Sequence, residues 1–367
     1  MTTLNGIQLS EGFYFEAVRP LLEQYFPRLP HAAALLGNGS EVLGFDDATS
    51  TDHHWGPRVQ LFVAPEDYAA AAAPLHAMLA ERLPRQFGGF PTNFSEPDPH
   101  DHGVQRLQEV EEGPVNHRVE VLTPAAFVLQ QLNFDLAQPL RPVDWLTFPE
   151  QKLLTITGGA VFHDAVGLID IRRLFAYYPE DVWFYLLAAG WARVGQEEHL
   201  MGRAGQVGDE LGSALIGSRL VRDIMRLCFL MERAYAPYPK WFGTAFRRLR
   251  SGRELYSVLQ LALAATTWQD REAQLSIAYE YVARMHNSLG VTPPLPEQTR
   301  VFFGRPFQVI ALHGFAEALC ERIQDPEVKA LAGEPLIGSI DLISDNVDLV
   351  SNGRFRFALR KLYEIEA

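Results

Sequence analysis

The 367-residue sequence has two cysteines, few basic residues and no apolar run long enough to span a membrane. A transmembrane helix needs about 20 apolar residues, and the longest apolar runs here are broken by charges or proline. Cys228 and Cys320 both lie in apolar segments, so a disulfide framework is excluded and two reduced thiols are expected. Reduced thiols are typical of the cytoplasm, which is the predicted location.

Basic residues are outnumbered, because 32 Lys and Arg face 45 Asp and Glu and give a formal net charge of −13. Proteins that bind duplex nucleic acid by neutralising phosphates need the opposite balance, so no duplex partner is expected. A small phosphorylated ligand needs only a few local cations and stays compatible with this charge. At about 100–200 residues per domain, the length predicts two domains.

The first 147 residues mix predicted helices and strands. The first 30 or so carry apolar side chains at helical spacing. Residues 58–63 and 117–122 alternate apolar and polar side chains, as half-buried strands do. Residues 68–83 consist of good helix formers. This alternation predicts a small α/β domain with a mixed sheet.

From residue 148 the pattern changes to long segments of helical periodicity. An all-helical second domain is therefore expected over residues 148–367, closing a cleft beside the first. The overall prediction is an α+β fold with a boundary between residues 147 and 148. The predicted helices cover residues 168–173, 181–194, 207–235, 251–267, 271–289 and 306–323.

One stretch combines residues suited to phosphate and metal chemistry. Gly39-Ser40 is followed, after eleven intervening residues, by Asp52-His53-His54. Glycine permits a tight turn that brings backbone N–H groups and the Ser40 hydroxyl to phosphate oxygens. Residues two apart on a strand share a face, so Asp52 and His54 are expected to point together. Glu120 interrupts an apolar strand, where burial without a partner would be costly, and is the expected third member.

This pattern resembles the motif of the nucleotidyltransferase superfamily, a Gly-Ser turn, a short spacer and Asp-x-Asp, with a third carboxylate on a neighbouring strand. The resemblance implies Asp52 and Glu120 as catalytic residues and Asp52, His54 and Glu120 as ligands of a divalent Mg, Mn or Zn ion. His54 replaces the second Asp of the motif. Imidazole is a poor ligand for Mg²⁺ and favours softer ions, so either the metal differs or two-metal transfer is lost.

Longer segments are similar to the bacterial DUF4037 family of nucleotidyltransferase-like proteins. The similarity covers most of the chain. The layout, a small α/β domain followed by a helical domain, also resembles aminoglycoside nucleotidyltransferases. The segments that carry the DUF4037 resemblance are GSEVLGFDDATSTDHHWGPR, RLVRDIMRLCFLMERAYAPYPKWFGTAF, MHNSLGV and GSIDLISDNVDLV.

Further candidate ligand residues flank the motif or lie in the predicted helical domain. Arginines at helical spacing can grip a phosphate or form ion pairs between helices. Aromatic side chains next to a lysine can stack on a base or sugar, or simply pack in the core. The predicted ligand-binding set is Gly39, Ser40, Trp55, Arg58, Arg222, Arg226, Tyr235, Tyr238, Lys240 and Trp241.

Three functions are compatible with these residues. The first is metal-dependent transfer of a nucleoside monophosphate from a triphosphate to a hydroxyl of a small molecule. The second is a hydrolase that uses the same cleft, such as a glycosidase with Asp52 and Glu120 as its two carboxyl groups and Trp55 and Trp241 as a sugar platform. The third is a sensor that binds a nucleotide or other ligand without turning it over.

Overall fold

The computed structural model describes residues 5–46, 55–101 and 103–364. The chain divides into two compact units that interleave along the sequence. Unit 1 comprises Met1–Pro139 and Lys152–Ala176, and unit 2 comprises Leu140–Gln151 and Tyr177–Ala367. The predicted boundary at residues 147 and 148, understood as the limit of two independently folding domains, stays a prediction.

Unit 1 is built on a four-stranded sheet with the strand order β5-β2-β1-β6. Strand β1 is antiparallel to both of its neighbours, whereas β2 and β5 are parallel, so the sheet is mixed. The predicted strands at residues 58–63 and 117–122 are present as β2 and β5. The sheet strands are β1 (His31–Leu35), β2 (Arg58–Val63), β5 (Arg118–Leu122) and β6 (Ala160–Asp164), and a two-stranded hairpin adds β3 (Gln86–Phe87) and β4 (Phe90–Pro91).

One face of this sheet is covered by helices and forms the core of unit 1. The N-terminal segment is a continuous helical stretch, since a π-helical turn at Tyr14–Val18 joins α1 (Gly6–Phe13) to α2 (Arg19–Tyr25). Helix α3 (Pro65–Arg82) packs with it on the same face. Burial of these apolar side chains supplies the main stabilisation of the unit. The core includes Phe13, Tyr14, Val18, Leu22, Ala33, Val59, Leu61, Leu75, Leu79 and Val119.

The opposite face of the sheet is apolar at one end and polar at the other. Phe62 near the end of β2 packs edge-on against Phe127, with ring centroids 5.6 Å apart. Residues at the beginning of β2 and β5 on this face are polar. Helix α4 (Pro124–Leu132) carries Phe127, and α6 (Glu150–Thr157) and α7 (Leu168–Leu174) flank β6 along the chain.

Unit 2 is mostly helical, and with the mixed sheet of unit 1 it gives the predicted α+β fold. Gly190 of α8 lets this helix approach α9 closely, because a Cβ there would lie 2.7 Å from Leu227. The helices are α5 (Pro142–Thr147), α8 (Glu180–Gln206), α9 (Glu210–Met231), α10 (Pro239–Phe246), α11 (Arg250–Ala264), α12 (Trp268–Leu289), α13 (Phe315–Cys320), α14 (Pro326–Ala332), α15 (Ile340–Ile343), α16 (Val347–Ser351) and α17 (Arg356–Arg360).

The prediction of a helix over residues 306–323 is wrong. The chain forms a hairpin of β7 (Arg300–Phe302) and β8 (Arg305–Val309), and the helical part is confined to a short 3-10 turn and α13. Phe303 and Gly304 have positive φ angles and make the turn of the hairpin. Gly304 accepts this conformation at no steric cost, which favours a hairpin over a helix at this point.

Candidate functional site

The parallel pairing of β2 and β5 brings four polar side chains together. Arg58 lies opposite Arg118, and Gln60 lies opposite Glu120. All four alternate with buried valine and leucine residues, so they project from the face that the core helices do not cover. Together with Glu41, these residues are called the polar sheet end.

The turn that contains Gly39 and Ser40 lies at the same end of the sheet. Strand β1 is antiparallel to β2, with Ala34 opposite Gln60, so the residues after β1 extend toward the beginning of β2. The backbone N–H of Leu36 donates to Gln60 Oε1 at 2.8 Å. The predicted turn, Arg58 and Glu120 therefore belong to one region of unit 1.

Glu120 is an accessible carboxylate at this end. Its side chain is 49% exposed, so the desolvation cost expected for a buried carboxylate is absent. Its contacts to other described residues are long, since Gln60 Nε2 donates to Oε2 at 3.5 Å and Arg118 Nη2 lies 3.8 Å from Oε1. Arg118 itself donates to Gln105 Oε1 at 3.0 Å. Glu120 thus keeps oxygen lone pairs available for a metal ion or an acceptor hydroxyl.

Glu41 was not identified from the sequence, yet it organises the turn. Its side chain is 5% exposed and forms an ion pair with Arg58 Nη2. Gly39 has a φ of +153°, and a Cβ on it would lie 2.6 Å from Glu41 Oε2. Only glycine leaves room for the ion pair at that position. Glu41 directly follows the Gly-Ser pair, and that adjacency is the one sequence signal that could have drawn attention to it.

Arg58 and Ser40 have contacts at this turn, whereas Trp55 is buried within unit 1. The Arg58 guanidinium is 14% exposed and engaged with Glu41. The Ser40 carbonyl accepts a hydrogen bond from Phe45 N at 2.8 Å. Trp55 is buried and packs edge-on against Phe90, and among the described residues its Nε1 has no hydrogen-bond partner. The ligand-binding roles of all three stay predictions.

Asp52 and His54 lie outside the described residues. In the sequence they precede Trp55 and the beginning of β2 by a few positions. Within residues 5–46, 55–101 and 103–364, no group of three or more His, Cys, Asp or Glu side chains is arranged to hold a metal ion. The predicted metal site at Asp52, His54 and Glu120 therefore stays a prediction. Across the same residues, none of the helices is both long and apolar enough to cross a membrane.

The arginines predicted to grip a phosphate are engaged with carboxylates in unit 2. Arg222 Nη1 lies 2.9 Å from Asp345 Oδ2, and its Nε lies 3.5 Å from Asp223 Oδ1. Arg226 Nη1 lies 4.0 Å from Glu150 Oε1. The arginine network, as it is called below, consists of Arg193, Arg219, Arg222 and Arg226 with Glu150, Glu197, Asp223 and Asp345.

Glu150 of the arginine network also belongs to a buried carboxyl pair, with Asp341, that sequence reasoning missed. Asp341 Oδ2 accepts the backbone N–H of Glu150 at 2.9 Å, and Glu150 Oε2 accepts that of Ala236 at 2.6 Å. Burial and, next, the nearby charge of Asp341 raise the pKa of Glu150 to about 8. Burial also raises the pKa of Asp341. The pair is thus expected to retain a proton at neutral pH.

The predicted aromatic cluster is divided between the interior and the surface of unit 2. Tyr235 is 7% exposed, and its ring lies 5.1 Å from the rings of both Tyr177 and Tyr178. Tyr238 is 37% exposed at the N-cap of α10. Lys240 Nζ lies 4.9 Å from the Trp241 ring centroid, so charge and stacking surface are adjacent there, as predicted. Tyr235 is part of the core.

A family model agrees with part of the predicted resemblance. A nucleotidyltransferase-like protein from Exiguobacterium sibiricum 255-15, of known crystal structure, is similar to this chain at 12% identity and a TM-score of 0.31, covering 75% of this chain and 78% of that one. No curated protein matches the sequence significantly. The family model of DUF4037, a domain of unknown function, matches residues 145–242. This match agrees with the predicted resemblance to the DUF4037 family over that segment.

Proposed function

We propose that this protein is a metal-dependent nucleotidyltransferase-like enzyme that moves a nucleoside monophosphate from a triphosphate to a hydroxyl of a small molecule. The observation that carries the proposal is the placement of Glu120. A half-exposed carboxylate lies on the strand next to β2, at the end of the sheet that also bears the Gly39-Ser40 turn. Asp52 precedes β2 in the sequence by six positions, which supports its assignment to the same end.

Each residue of this region has a chemical role in such a transfer. The Gly39-Ser40 turn would contact phosphate oxygens through backbone N–H groups and the Ser40 hydroxyl. Glu120 would accept the proton of the acceptor hydroxyl as that oxygen attacks the α-phosphorus and pyrophosphate leaves. Glu41 would keep Arg58 in position beside the turn.

The residues assigned to the metal suit a divalent ion. Asp52 and Glu120 supply carboxylate oxygens and His54 supplies a nitrogen, a donor set that favours Mn²⁺ or Zn²⁺ over Mg²⁺. The long contacts of Glu120 to Gln60 and Arg118 leave its carboxylate free to bind such an ion. When bound, the ion would neutralise charge on the triphosphate.

The first experiment measures pyrophosphate release from ATP, CTP, GTP and UTP after chelation and re-addition of Mg, Mn or Zn. A candidate hydroxyl acceptor library supplies the second substrate. We expect Asp52→Asn and Glu120→Gln to lower turnover by about 100-fold or more, as expected for loss of a group that acts in acid–base or metal chemistry.

The matched control is Glu81→Gln, because Glu81 is an exposed glutamate in the last turn of α3, a helix that covers the face of the sheet opposite to Glu120. It should leave turnover unchanged. Full activity in the presence of a chelator would contradict the proposed metal dependence. Cleavage of a glycoside without any triphosphate would instead support the hydrolase, and tight nucleotide binding without turnover would support the sensor.

A further inference from the structure

A dense basic segment stands out in this acidic protein. Residues 240–253 contain Lys240, Arg247, Arg248, Arg250 and Arg253 and no Asp or Glu, whereas the whole chain has a net charge of −13. The segment runs through α10 into the first turn of α11. Local positive charge of this kind attracts anions even when the whole protein is negative.

This basic segment borders a cavity within unit 2. The cavity has a volume of about 490 Å³ and is formed by the end of α9, the beginning of α11 and the end of α12. That size is typical of small-molecule sites, which span roughly 300–1,000 Å³. Its lining combines two arginines, Arg250 and Arg284, with an apolar wall and three further polar residues. The wall consists of Met231, Met285, Leu289 and Tyr281, and the polar residues are Glu232, Ser251 and Ser288. It is called the α9–α11–α12 pocket.

The one acidic residue of the pocket lining is already satisfied. Glu232 Oε2 accepts the backbone N–H of Arg250 at 2.9 Å. Its Oε1 accepts the N–H and the hydroxyl of Ser251 at 2.8 and 2.6 Å. Glu232 therefore caps the beginning of α11 and holds the backbone of Arg250 at the pocket.

The two arginines are accessible to a ligand. The Arg250 side chain is 91% exposed, and its Nε lies 3.8 Å from Glu232 Oε2, beyond hydrogen-bond distance. Arg284 is exposed, with its guanidinium 5.8 Å from the centroid of the Tyr281 ring. Guanidinium groups bind carboxylates, phosphates and sulfonates through paired N–H donors. Two such groups at one cavity favour an anionic ligand.

We propose that the α9–α11–α12 pocket binds a small organic anion with an apolar body. The anionic group contacts Arg250 and Arg284, and the apolar body lies against Met231, Met285 and Leu289. Methionine side chains are flexible and polarisable, so this wall accommodates apolar groups of varied shape. The proposal is independent of the function proposed for unit 1, since every residue that carries it belongs to unit 2.

The test uses 1-anilinonaphthalene-8-sulfonate, which combines an aromatic body with one anionic group. We expect saturable binding to the full-length protein at one site, followed by fluorescence. Arg250→Ala and Arg284→Ala should each raise the dissociation constant about tenfold, the usual effect of losing a charge-assisted hydrogen bond. Leu289→Ser, which removes part of the apolar wall, should raise it as well. Octanoate should displace the dye, whereas inorganic phosphate at the same concentration should not.

The matched control is Arg253→Ala, because Arg253 is an exposed arginine on the same helix that does not line the pocket. It should leave the dissociation constant nearly unchanged. An equal loss of dye affinity in all three arginine variants would mean that diffuse surface charge attracts the dye, and it would overturn the proposal. Dye affinity that is unchanged in Arg250→Ala and Arg284→Ala would also overturn it. The same holds if phosphate displaces the dye as strongly as octanoate does. Circular dichroism of each variant confirms that the fold is retained.

Discussion

The polar sheet end of unit 1 and the arginine network of unit 2 use the same residue types differently. At the polar sheet end, the Glu120 carboxylate is half-exposed and its contacts are 3.5 Å or longer. In the arginine network, Arg219 Nε lies 2.8 Å from Glu197 Oε2 and Arg222 Nη1 lies 2.9 Å from Asp345 Oδ2. Loosely held charge is available to a ligand, whereas paired charge already has its partner.

The comparison shows what helical spacing does and does not reveal about charged residues. Arg219, Arg222 and Arg226 recur at three- and four-residue intervals, which places them on one side of α9. That spacing is equally compatible with binding of a phosphate and with ion pairs to carboxylates of other segments. The partners distinguish the two roles. Glu197 lies on the preceding helix α8, whereas Glu150 and Asp345 lie far from α9 in the sequence.

The largest expected effect concerns the protonation of Glu150 in the buried carboxyl pair of unit 2. The pKa of Glu150 is raised from 4.5 to about 8, so the folded chain binds a proton that the unfolded chain releases between these values. Stability is therefore expected to fall as pH rises from about 4.5 to 8. Glu150→Gln should remove this loss and gain up to a few kcal/mol over the wild type at pH 8–9, since each pKa unit is worth about 1.4 kcal/mol.

Urea unfolding of the wild type and Glu150→Gln between pH 5 and 9 measures this difference. Glu334→Gln is the control, because Glu334 is an exposed glutamate of the same unit. If Glu150→Gln is destabilising by the same amount at every pH, Glu150 is ionised in the folded protein and the pair does not retain a proton.

The second prediction concerns a histidine that supports the polar sheet end. His117 precedes β5, and its Nδ1 accepts the N–H of Val119 at 3.1 Å while its Nε2 donates to the His76 carbonyl at 3.1 Å. The bond that Nδ1 accepts needs the neutral ring, because a protonated ring has no acceptor nitrogen, whereas Nε2 can donate in either protonation state. Burial lowers the pKa of His117 from 6.5 to about 4, so the stability that it contributes is complete above pH 6.5 and is lost as pH falls toward 4.

His117→Asn removes the titrating group and should flatten the loss of stability between pH 6.5 and 4, by up to about 1.4 kcal/mol per pH unit. His100→Asn is the control, because His100 is an exposed loop histidine of unit 1. Thermal unfolding across this pH range provides the measurement. An unchanged pH slope in His117→Asn would show that other groups dominate the acid response.

The smallest expected effect distinguishes two roles of Arg222, ligand binding and an ion pair with Asp345. Arg222 and Asp345 are 30% and 68% exposed, and pairs this exposed contribute at most about 1 kcal/mol. Arg222→Ala should therefore lower stability only slightly and leave ATP affinity unchanged. A double-mutant cycle with Asp345→Ala isolates the energy of the pair. A tenfold loss of ATP affinity in Arg222→Ala alone would restore Arg222 as a ligand-binding residue.

Local patterns were sufficient to predict the elements that bring the polar sheet end together. Strand β2 matches the predicted residues 58–63, and β5 differs from its prediction by one residue. Alternation is a property of adjacent residues, so it can be recognised in a single sequence. The parallel pairing of Gln60 with Glu120 depends on contacts across 60 positions and could only be assumed.

The failures of prediction share a physical origin. Glu41 pairs with Arg58 across a turn, and Glu150 approaches Asp341 from nearly 200 positions away, so no periodicity connects them. For Tyr235 the sequence left both stacking on a ligand and packing in the core open, and in the structure Tyr177 and Tyr178 pack against it. Long-range packing decides such burial, and amino-acid type alone does not.

The position of β6 in the sheet has a consequence for how the chain can be divided. Strand β6 pairs with β1 although it follows residues 140–151, which belong to unit 2. A fragment that stopped at residue 147 would lack β6 and leave β1 as a bare edge, with unpaired N–H and C=O groups beside small alanine side chains. Exposed edges of this kind recruit strands from other molecules. An N-terminal fragment meant to carry the candidate site alone should therefore extend through β6, or it will tend to self-associate.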